Sequence, residues 1–174
     1  DTLPPDRGPV VYVDSASTDD SVAEARRRAI EVVELDMSVP FTAARARNHG
    51  MARLLEVRPQ VELVQFVDGD CEILAGWLAV AELELRRDPR LAAICGRLRE
   101  RARDATIYNR LADLELDGPS GEVFSCGGNA IMRVSAFQGA GGFNPKVAAG
   151  EEPDLCIRMR RAGWVIRKID VDIA

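Results

Sequence analysis

The sequence predicts an α/β protein with a doubly wound sheet that is flanked by helices. Short apolar segments rich in β-branched residues alternate with helical segments four times between residues 10 and 96, which is typical of this class. A length of 174 residues suits one domain, and a composition of 47% hydrophobic and 29% charged residues suits a globular one. We therefore expect a single domain over residues 1–174.

The first predicted strand covers residues 10–13, a short apolar run that ends at Asp14. A helix follows it and extends to Ala29. Ser17 and Asp20 indicate where this helix starts, because their spacing resembles a capping box and an acidic group suits the positive end of a helix dipole.

The next segments repeat the alternation of strand and helix. The run at residues 61–67 is nearly all apolar, so we expect it to be a central strand of the sheet. A proline at position 89 stops the helix before the fourth strand. The predicted elements are a strand at 31–35, a helix at 41–55, a strand at 61–67, a helix at 76–87 and a strand at 91–96.

The second half of the sequence is less regular. Residues 97–103 are basic and polar, which predicts a solvated loop and leaves contact with a membrane surface open. Pro153 and Gly163 mark the start and the end of a last helix. The predicted elements are a helix at 105–116, a turn at 117–121, glycine-rich loops at 126–129 and 139–142, a helix at 151–162 and a strand at 164–169.

Charge and cysteine content exclude several classes of protein. Lys and Arg number 23 and Asp and Glu number 28, and the resulting charge of −5 disfavours a dedicated nucleic-acid binder. No apolar run reaches the ~18 residues of a membrane span. The four cysteines form no C-x-x-C pair, so we expect reduced, mostly buried thiols and a cytosolic location.

A candidate metal site follows the apolar third strand. Asp68 and Asp70 flank Gly69 at the predicted carboxyl end of this strand, which is where doubly wound sheets bind their ligands. Residues two apart in extended backbone point to the same side, and two carboxylates there suit Mg²⁺ or Mn²⁺. A polar turn at the end of the strand is the alternative.

Further acidic candidates lie at the end of the first strand and the start of the last helix. Asp14 is placed to bind a base or ribose, or else to serve the turn near Ser17. Glu151, Glu152 and Asp154 suit the helix dipole. Such a cluster of like charges can also raise the pKa of one carboxyl toward that of a general base.

Basic and glycine-rich segments supply the remaining candidates. Arg45, Arg47 and Asn48 share a predicted helix, and forked guanidinium groups suit phosphate. Because 21 of the 23 basic residues are Arg, a solvated helix face explains them as well. Gly128 and Asn129 lie in a loop whose glycines allow backbone to approach a sugar or phosphate, and a tight turn is the alternative.

Taken in order, these segments resemble the inverting glycosyltransferases of family 2, which have the GT-A fold. The matching segments are VVYVDSASTDDSVAEA, FTAARARNHG, FVDGD, CGGNAIMRVSAFQGAGGF and GEEPDLCIRMRRAGW. The resemblance implies a Rossmann-like GT-A domain with a mixed, mostly parallel sheet and flanking helices. Residues 1–96 would be its nucleotide-binding half, and residues 97–174 would bind the acceptor and carry the base.

The resemblance also implies a role for each candidate near the donor. Asp14 matches an acid that contacts the nucleotide base, often uracil, and Ser15 stands where many members have a second Asp. Asp70 matches the metal ligand of the D-x-D motif. Asp68 matches its partner beside the ribose or sugar, and we count both as candidate ligands of Mn²⁺ or Mg²⁺.

Two further matches lie near the donor and the acceptor. Arg45, Arg47 and Asn48 match the family's A-A-R-N segment near the donor. Gly128 and Asn129 match a G-G-N or G-G-D loop near the donor sugar and the acceptor.

The implied reaction moves a sugar from a nucleotide-diphosphate donor, with UDP-sugars among the candidates, to a hydroxyl of a saccharide or lipid-linked acceptor. Glu151 and Glu152 match the E-D dipeptide whose second residue is the usual base. Glu152 replaces the usual Asp there, so the base is Glu152 or Glu151. The alternative is a non-catalytic nucleotide-sugar-binding or interaction module that keeps the fold.

The resemblance further implies a catalytic domain truncated at both ends. Members begin with a strand and a helix that would precede Asp1, and residues 1–5 resemble the loop before the second strand. Many relatives assemble cell-envelope polysaccharides, so the expected location is cytoplasmic, with peripheral contact at the inner face of the membrane left open.

Overall fold

The computed structural model describes residues 8–173, so the predicted loop at residues 1–5 lies outside the described residues. The strands are β1 Val11–Asp14, β2 Glu31–Glu34, β3 Leu63–Phe66, β4 Leu91–Arg97, β5 Gly121–Glu122, β6 Ala130–Arg133 and β7 Val165–Asp172. The helices are α1 Ser21–Arg27, α2 Ala43–Val57, α3 Trp77–Arg87, α4 Ile107–Leu116, α5 Val134–Gly139 and α6 Glu151–Arg161.

The predicted α/β class with helices around a mixed sheet is confirmed. Five strands form one sheet in the order β3-β6-β4-β7-β5, and β1 pairs with β2 in a separate parallel ladder. The ladder between β4 and β7 is parallel, whereas β3–β6, β4–β6 and β5–β7 are antiparallel. Parallel ladders are thus fewer than predicted among the described residues, because β5 and β6, absent from the sequence-based assignment, both pair antiparallel.

The prediction that the third strand is central is wrong. Within residues 8–173, β3 pairs with β6 alone and therefore lies at an edge of the five-stranded sheet. The intervening strand β6 has four residues and follows a glycine-rich loop, so its sequence carries too short a pattern to be recognised. Its register sets Phe66 opposite Ala130, which fixes the loop before β6 beside the end of β3.

The core lies on both faces of this sheet, because side chains alternate along each strand. On one face, Phe66 packs edge-on against Phe143, with ring centroids 5.2 Å apart, next to Met132. On the other face, Trp77 and Ile131 belong to a second buried cluster. This packing clamps the end of β3 from both sides.

The four cysteines are free thiols, and three of them are buried, as predicted. His49, the single histidine, is exposed. None of the described helices combines the length and the apolar character needed to cross a bilayer.

Candidate active site

The candidate active site lies where β3 ends, the 126–129 loop enters β6 and helix α6 begins. β6 runs antiparallel to β3, so the start of β6 lies beside the end of β3. Asp68 follows β3 by two residues, Asn129 directly precedes β6 and Glu151 is the first residue of α6. Topology thus brings together three segments that are far apart in the sequence.

Asn129 holds the backbone and the side chain of Asp68. Its Oδ1 accepts a hydrogen bond from the Asp68 backbone N–H at 2.9 Å, and its Nδ2 donates to Asp68 Oδ2 at 3.2 Å. Asn129 is buried, so this amide orients the loop that carries the carboxylate and has little surface left for a ligand.

Arg47 connects Asp68 after β3 with Glu151 at the start of α6. Its Nη2 donates to Asp68 Oδ1 at 2.6 Å, and its Nη1 donates to Glu151 Oε1. Only 17% of the Arg47 side chain and 13% of the Glu151 side chain are exposed. The guanidinium also lies over the Phe143 ring, 5.6 Å from its centroid. A single cation therefore sits between carboxylates from the end of β3 and the start of α6.

Gly128 makes the close approach of these groups possible. A Cβ at this position would collide with Asp68 Oδ2 and lie 2.8 Å from Arg47 Nη2. Any larger residue at position 128 would therefore have to displace the ends of the Asp68 and Arg47 side chains.

Asp70 differs from Asp68 in being exposed. Within the described part of the chain, the recorded partner of its carboxylate is the weakly donating Cys71 thiol, 3.8 Å away. Asp68, Asp70 and Glu151 offer three carboxylates against the single charge of Arg47. Hard oxygen donors with an excess of negative charge fit Mg²⁺ or Mn²⁺.

Asp14 is buried at the end of β1 and organises the turn that follows. Its Oδ2 accepts hydrogen bonds from the backbone N–H groups of Ala16 and Ser17, and its Oδ1 accepts one from the Tyr12 hydroxyl. A hydrogen bond from the Ser17 side chain is the largest cause that holds the pKa of Asp14 below its usual value, and the two backbone N–H groups lower it further. The neighbouring Ser15 is exposed. No recorded bond of the described residues joins this turn to Asp68.

Arg45 and Asn48 brace the surroundings of Arg47. Arg45 donates to the backbone carbonyls of Asp36 and Val39 and so ties the loop before α2 to that helix. Asn48 exchanges two hydrogen bonds with the backbone of Phe143, at 2.7 and 3.0 Å. Both side chains are occupied by protein partners, whereas Arg47 alone of these three reaches the carboxylates.

Glu152 points into the core. It is 5% exposed, and its Oε1 accepts hydrogen bonds from the Cys126 backbone N–H at 2.7 Å and from the Cys156 thiol at 2.8 Å. The sequence-based reasoning missed both cysteines and Phe143 as neighbours of the site. The one available signal was the spacing of Glu152 and Cys156, which puts them on the same side of a helix.

Comparisons with known proteins agree with this architecture. The sequence profile of Glycosyl transferase family 2 matches residues 4–140. A mannosyltransferase from Pyrobaculum calidifontis, solved with GDP-Man and Mn²⁺, shares the fold with a TM-score of 0.62 and 21% identity, over 95% of this chain and 46% of that one.

Glucosyl-3-phosphoglycerate synthase from Mycobacterium tuberculosis, solved with phosphoglyceric acid, gives a TM-score of 0.56 and 17% identity, over 94% of this chain and 59% of that one. A third structure, of a mycobacterial protein, has a TM-score of 0.56 and 18% identity, over 94% of this chain and 55% of that one. The chain thus spans about half the length of these structures. No curated protein matches it significantly in sequence.

The profile covers most of the chain, and the fold that it shares with these solved structures is GT-A. The chain belongs to glycosyltransferase family 2.

Proposed function

We propose that this domain transfers a sugar from a nucleotide-diphosphate donor to an acceptor hydroxyl with inversion of configuration. The observation that carries the proposal is the convergence of Asp68, Arg47 and Glu151 at the end of β3, beside Gly128, where an added Cβ would displace Asp68 and Arg47. The mannosyltransferase that shares the fold was solved with GDP-Man and Mn²⁺, which supports a nucleotide-sugar donor here.

Asp70 and Asp68 are the residues that would hold Mn²⁺ or Mg²⁺. A cation bound there supplies Lewis-acid neutralisation of the leaving diphosphate. Asp70 is exposed and lacks a strong partner among the described residues, so it is the more available ligand. Asp68 is already oriented by Asn129 and by Arg47.

Glu151 is the general base that the geometry supports best, with Glu152 as the alternative. Glu151 pairs with Arg47 beside Asp68, whereas the Glu152 carboxylate is buried against two thiols. A donor diphosphate competes with Glu151 for the Arg47 guanidinium, because phosphate matches its forked donors. Loss of that partner would free the Glu151 carboxylate to accept the proton of the attacking hydroxyl.

The nucleotide would lie over the ends of β1 and β3. Asp14 and Ser15 are the proposed contacts of the base and ribose, and Arg45 and Asn48 support Arg47 from α2. Residues 1–96 form the proposed nucleotide half and residues 97–174 the proposed acceptor half. UDP- and GDP-sugars are both candidate donors, and the acceptor is a saccharide or a lipid-linked sugar.

A non-catalytic nucleotide-sugar-binding module is the second candidate. It is favoured by the burial of Glu152, since this residue stands where the resemblance puts the base. Binding with no transfer to any acceptor would distinguish this candidate from the enzyme.

The proposal is tested by titration calorimetry with UDP and GDP, with and without Mn²⁺. We expect binding that depends on Mn²⁺ and that is lost in Asp70→Ala. Asp104→Ala is the matched control, since Asp104 is 82% exposed and pairs with Arg110 outside the site. Binding that is indifferent both to Mn²⁺ and to Asp70→Ala would contradict the proposed metal role.

Peripheral contact with the cytoplasmic face of the membrane is proposed through helix α4. The arginines of residues 97–103 are engaged by carboxylates, as in the pairs Arg97–Asp172 and Arg101–Glu72. Ile107, Tyr108, Leu111 and Leu114 of α4, in contrast, expose 51–78% of their surface. We expect Tyr108→Ser with Leu114→Ser to reduce co-sedimentation with anionic vesicles, and Leu83→Ser on α3 to leave it unchanged.

A further inference from the structure

Glu152 is a buried acidic side chain that the proposed reaction leaves unused when Glu151 is the base, and the inference below rests on that assignment. No cation of the described residues forms an ion pair with it, and its recorded hydrogen-bond donors are one backbone N–H and two thiols. A thiol is a weak donor. Buried carboxylates in proteins are usually paired with a cation or coordinate a metal, so the surroundings of Glu152 point to a cation.

The two thiols lie where ligands of one metal ion would lie. Cys126 Sγ and Cys156 Sγ are 3.6 Å apart, and Glu152 Oε1 is 3.2 Å from the first and 2.8 Å from the second. A tetrahedral Zn²⁺ with bonds of ~2.3 Å to sulfur and ~2.0 Å to oxygen holds its ligand atoms about 3.5–3.8 Å apart. Outward shifts of less than about 1 Å would therefore admit the ion.

We propose that Cys126, Glu152 and Cys156 form a buried Zn²⁺ site that is separate from the Asp68–Asp70 site. Binding replaces two thiol protons by one Zn²⁺, and the two protons leave to solvent. The ligand set then carries two thiolates, one carboxylate and the ion, so the net charge of the cluster stays at −1. Because the buried net charge does not change on binding, the ion adds no further net charge whose removal from water would cost free energy.

The loop that carries Cys126 provides the path of entry. Ser125 and Gly127 on either side are exposed, whereas Cys126 between them is 7% exposed. In the proposed binding, a displacement of this loop would give an ion access to the three ligands, and a water molecule that enters with the ion would complete the fourth position. Thiolates with a carboxylate favour Zn²⁺, while the oxygen-only site at Asp70 favours Mg²⁺ or Mn²⁺.

The ion would join helix α6 to the 126–129 loop. Cys156 and Glu152 belong to α6, whose first residue is Glu151, and Cys126 precedes Gly128 and Asn129. Zn²⁺ would therefore fix the proposed base relative to the loop that orients Asp68. Its role is structural, and it takes part in no step of sugar transfer.

Anaerobic titration with Co²⁺, a spectroscopic substitute for Zn²⁺, tests the proposal. We expect a thiolate-to-cobalt charge-transfer band in the ultraviolet and visible bands of tetrahedral intensity, both removed by one equivalent of Zn²⁺. Cys126→Ser and Cys156→Ser should each weaken binding by at least ~100-fold, because each removes one thiolate ligand. Absence of the charge-transfer band in the wild-type protein would overturn the proposal.

Two control variants separate this site from the proposed donor site. Asp70→Asn removes a ligand of the Mn²⁺ or Mg²⁺ site and Cys71→Ser removes the thiol next to it, so both should leave the cobalt bands unchanged. If Cys71→Ser abolishes the bands, the metal lies at the donor site and the proposal fails.

A wild-type measurement keeps the test independent of the folding of the variants. X-ray absorption at the zinc edge, on protein with one equivalent of Zn²⁺, should give two sulfur neighbours at about 2.3 Å. Oxygen and nitrogen neighbours alone would overturn the site.

Discussion

Arg47 is the residue that allows the carboxylates of the candidate active site to lie close together. Asp68 at the end of β3 and Glu151 at the start of α6 approach each other because one guanidinium donates to both. A lysine would supply the charge without the forked geometry, so it would satisfy one partner at a time. Arg47 thus links the proposed base to the proposed metal ligand, and any group that draws it away changes both.

The choice between the two candidate bases follows from where their oxygens point. In a transfer assay, Glu151→Gln should lower kcat by about 10²–10⁴-fold, because an amide takes no proton from the acceptor. Glu152→Gln should lower the unfolding midpoint and leave most of the transfer rate. The reverse pattern, with transfer lost in Glu152→Gln while Glu151→Gln stays active, would return the role of base to Glu152.

A substitution at Gly128 tests how tightly the 126–129 loop packs against Asp68 and Arg47. Gly128→Ala introduces a Cβ that meets Asp68 Oδ2 and Arg47 Nη2, so we expect loss of Mn²⁺-dependent nucleotide binding while the circular dichroism of the fold is retained. Gly139→Ala is the control, since a Cβ there meets nothing within 4 Å. Full binding by Gly128→Ala would show that the two side chains can yield without consequence.

Among the elements, those with long or clear patterns were predictable and the short ones were not. α2 and β4 follow from an uninterrupted helical segment and a fully apolar run. β6 has four residues, and β5 has two, so local sequence gives no period to recognise. Their pairing is set by tertiary contacts, and for that reason the edge position of β3 was not predictable.

Asn48 connects helix α2 to the turn before Phe143 through two side-chain hydrogen bonds. Its removal in Asn48→Ala leaves the buried N–H and C=O of Phe143 without partners, and we expect a loss of about 1–3 kcal/mol in the free energy of unfolding. Urea unfolding measures this loss. His49→Ala, which changes an exposed neighbour on the same helix, should stay close to wild type. Equal stability of both variants would mean that the turn is held by other contacts.

At the scale of the whole molecule, the sequence predicts which residues follow strands and begin helices, but not which of them meet. Asp68 at a strand end and Glu151 at a helix start follow from local patterns. Their connection through Arg47 depends on β6 entering between β3 and β4, which no local pattern indicates. Glu152 points inward, toward the thiols of Cys126 and Cys156, and Cys126 is distant from it in the sequence. Its burial could therefore be recognised only from the three-dimensional structure.

Asp88 links distant parts of the fold and predicts how stability changes with pH. Its carboxylate accepts hydrogen bonds from Arg90 and from Arg167 of β7. These bonds lower the pKa of Asp88 from 3.8 to about 2, and the bond from Arg90 has the largest effect. The native state holds this proton more weakly than the unfolded chain does, so the contribution to stability is full above the unfolded pKa and is lost as the pH falls through the folded one.

In urea unfolding at constant ionic strength, Asp88→Asn should therefore be less stable than wild type at pH 6, and the difference should shrink between about pH 4 and pH 2. Asp104→Asn serves as the control, because Asp104 is exposed and forms its ion pair with Arg110 at the surface, where such pairs contribute little. A deficit in Asp88→Asn that persisted unchanged to pH 2 would mean that the substitution acts through packing at the start of β4, and that the ionised carboxylate is not what stabilises this junction.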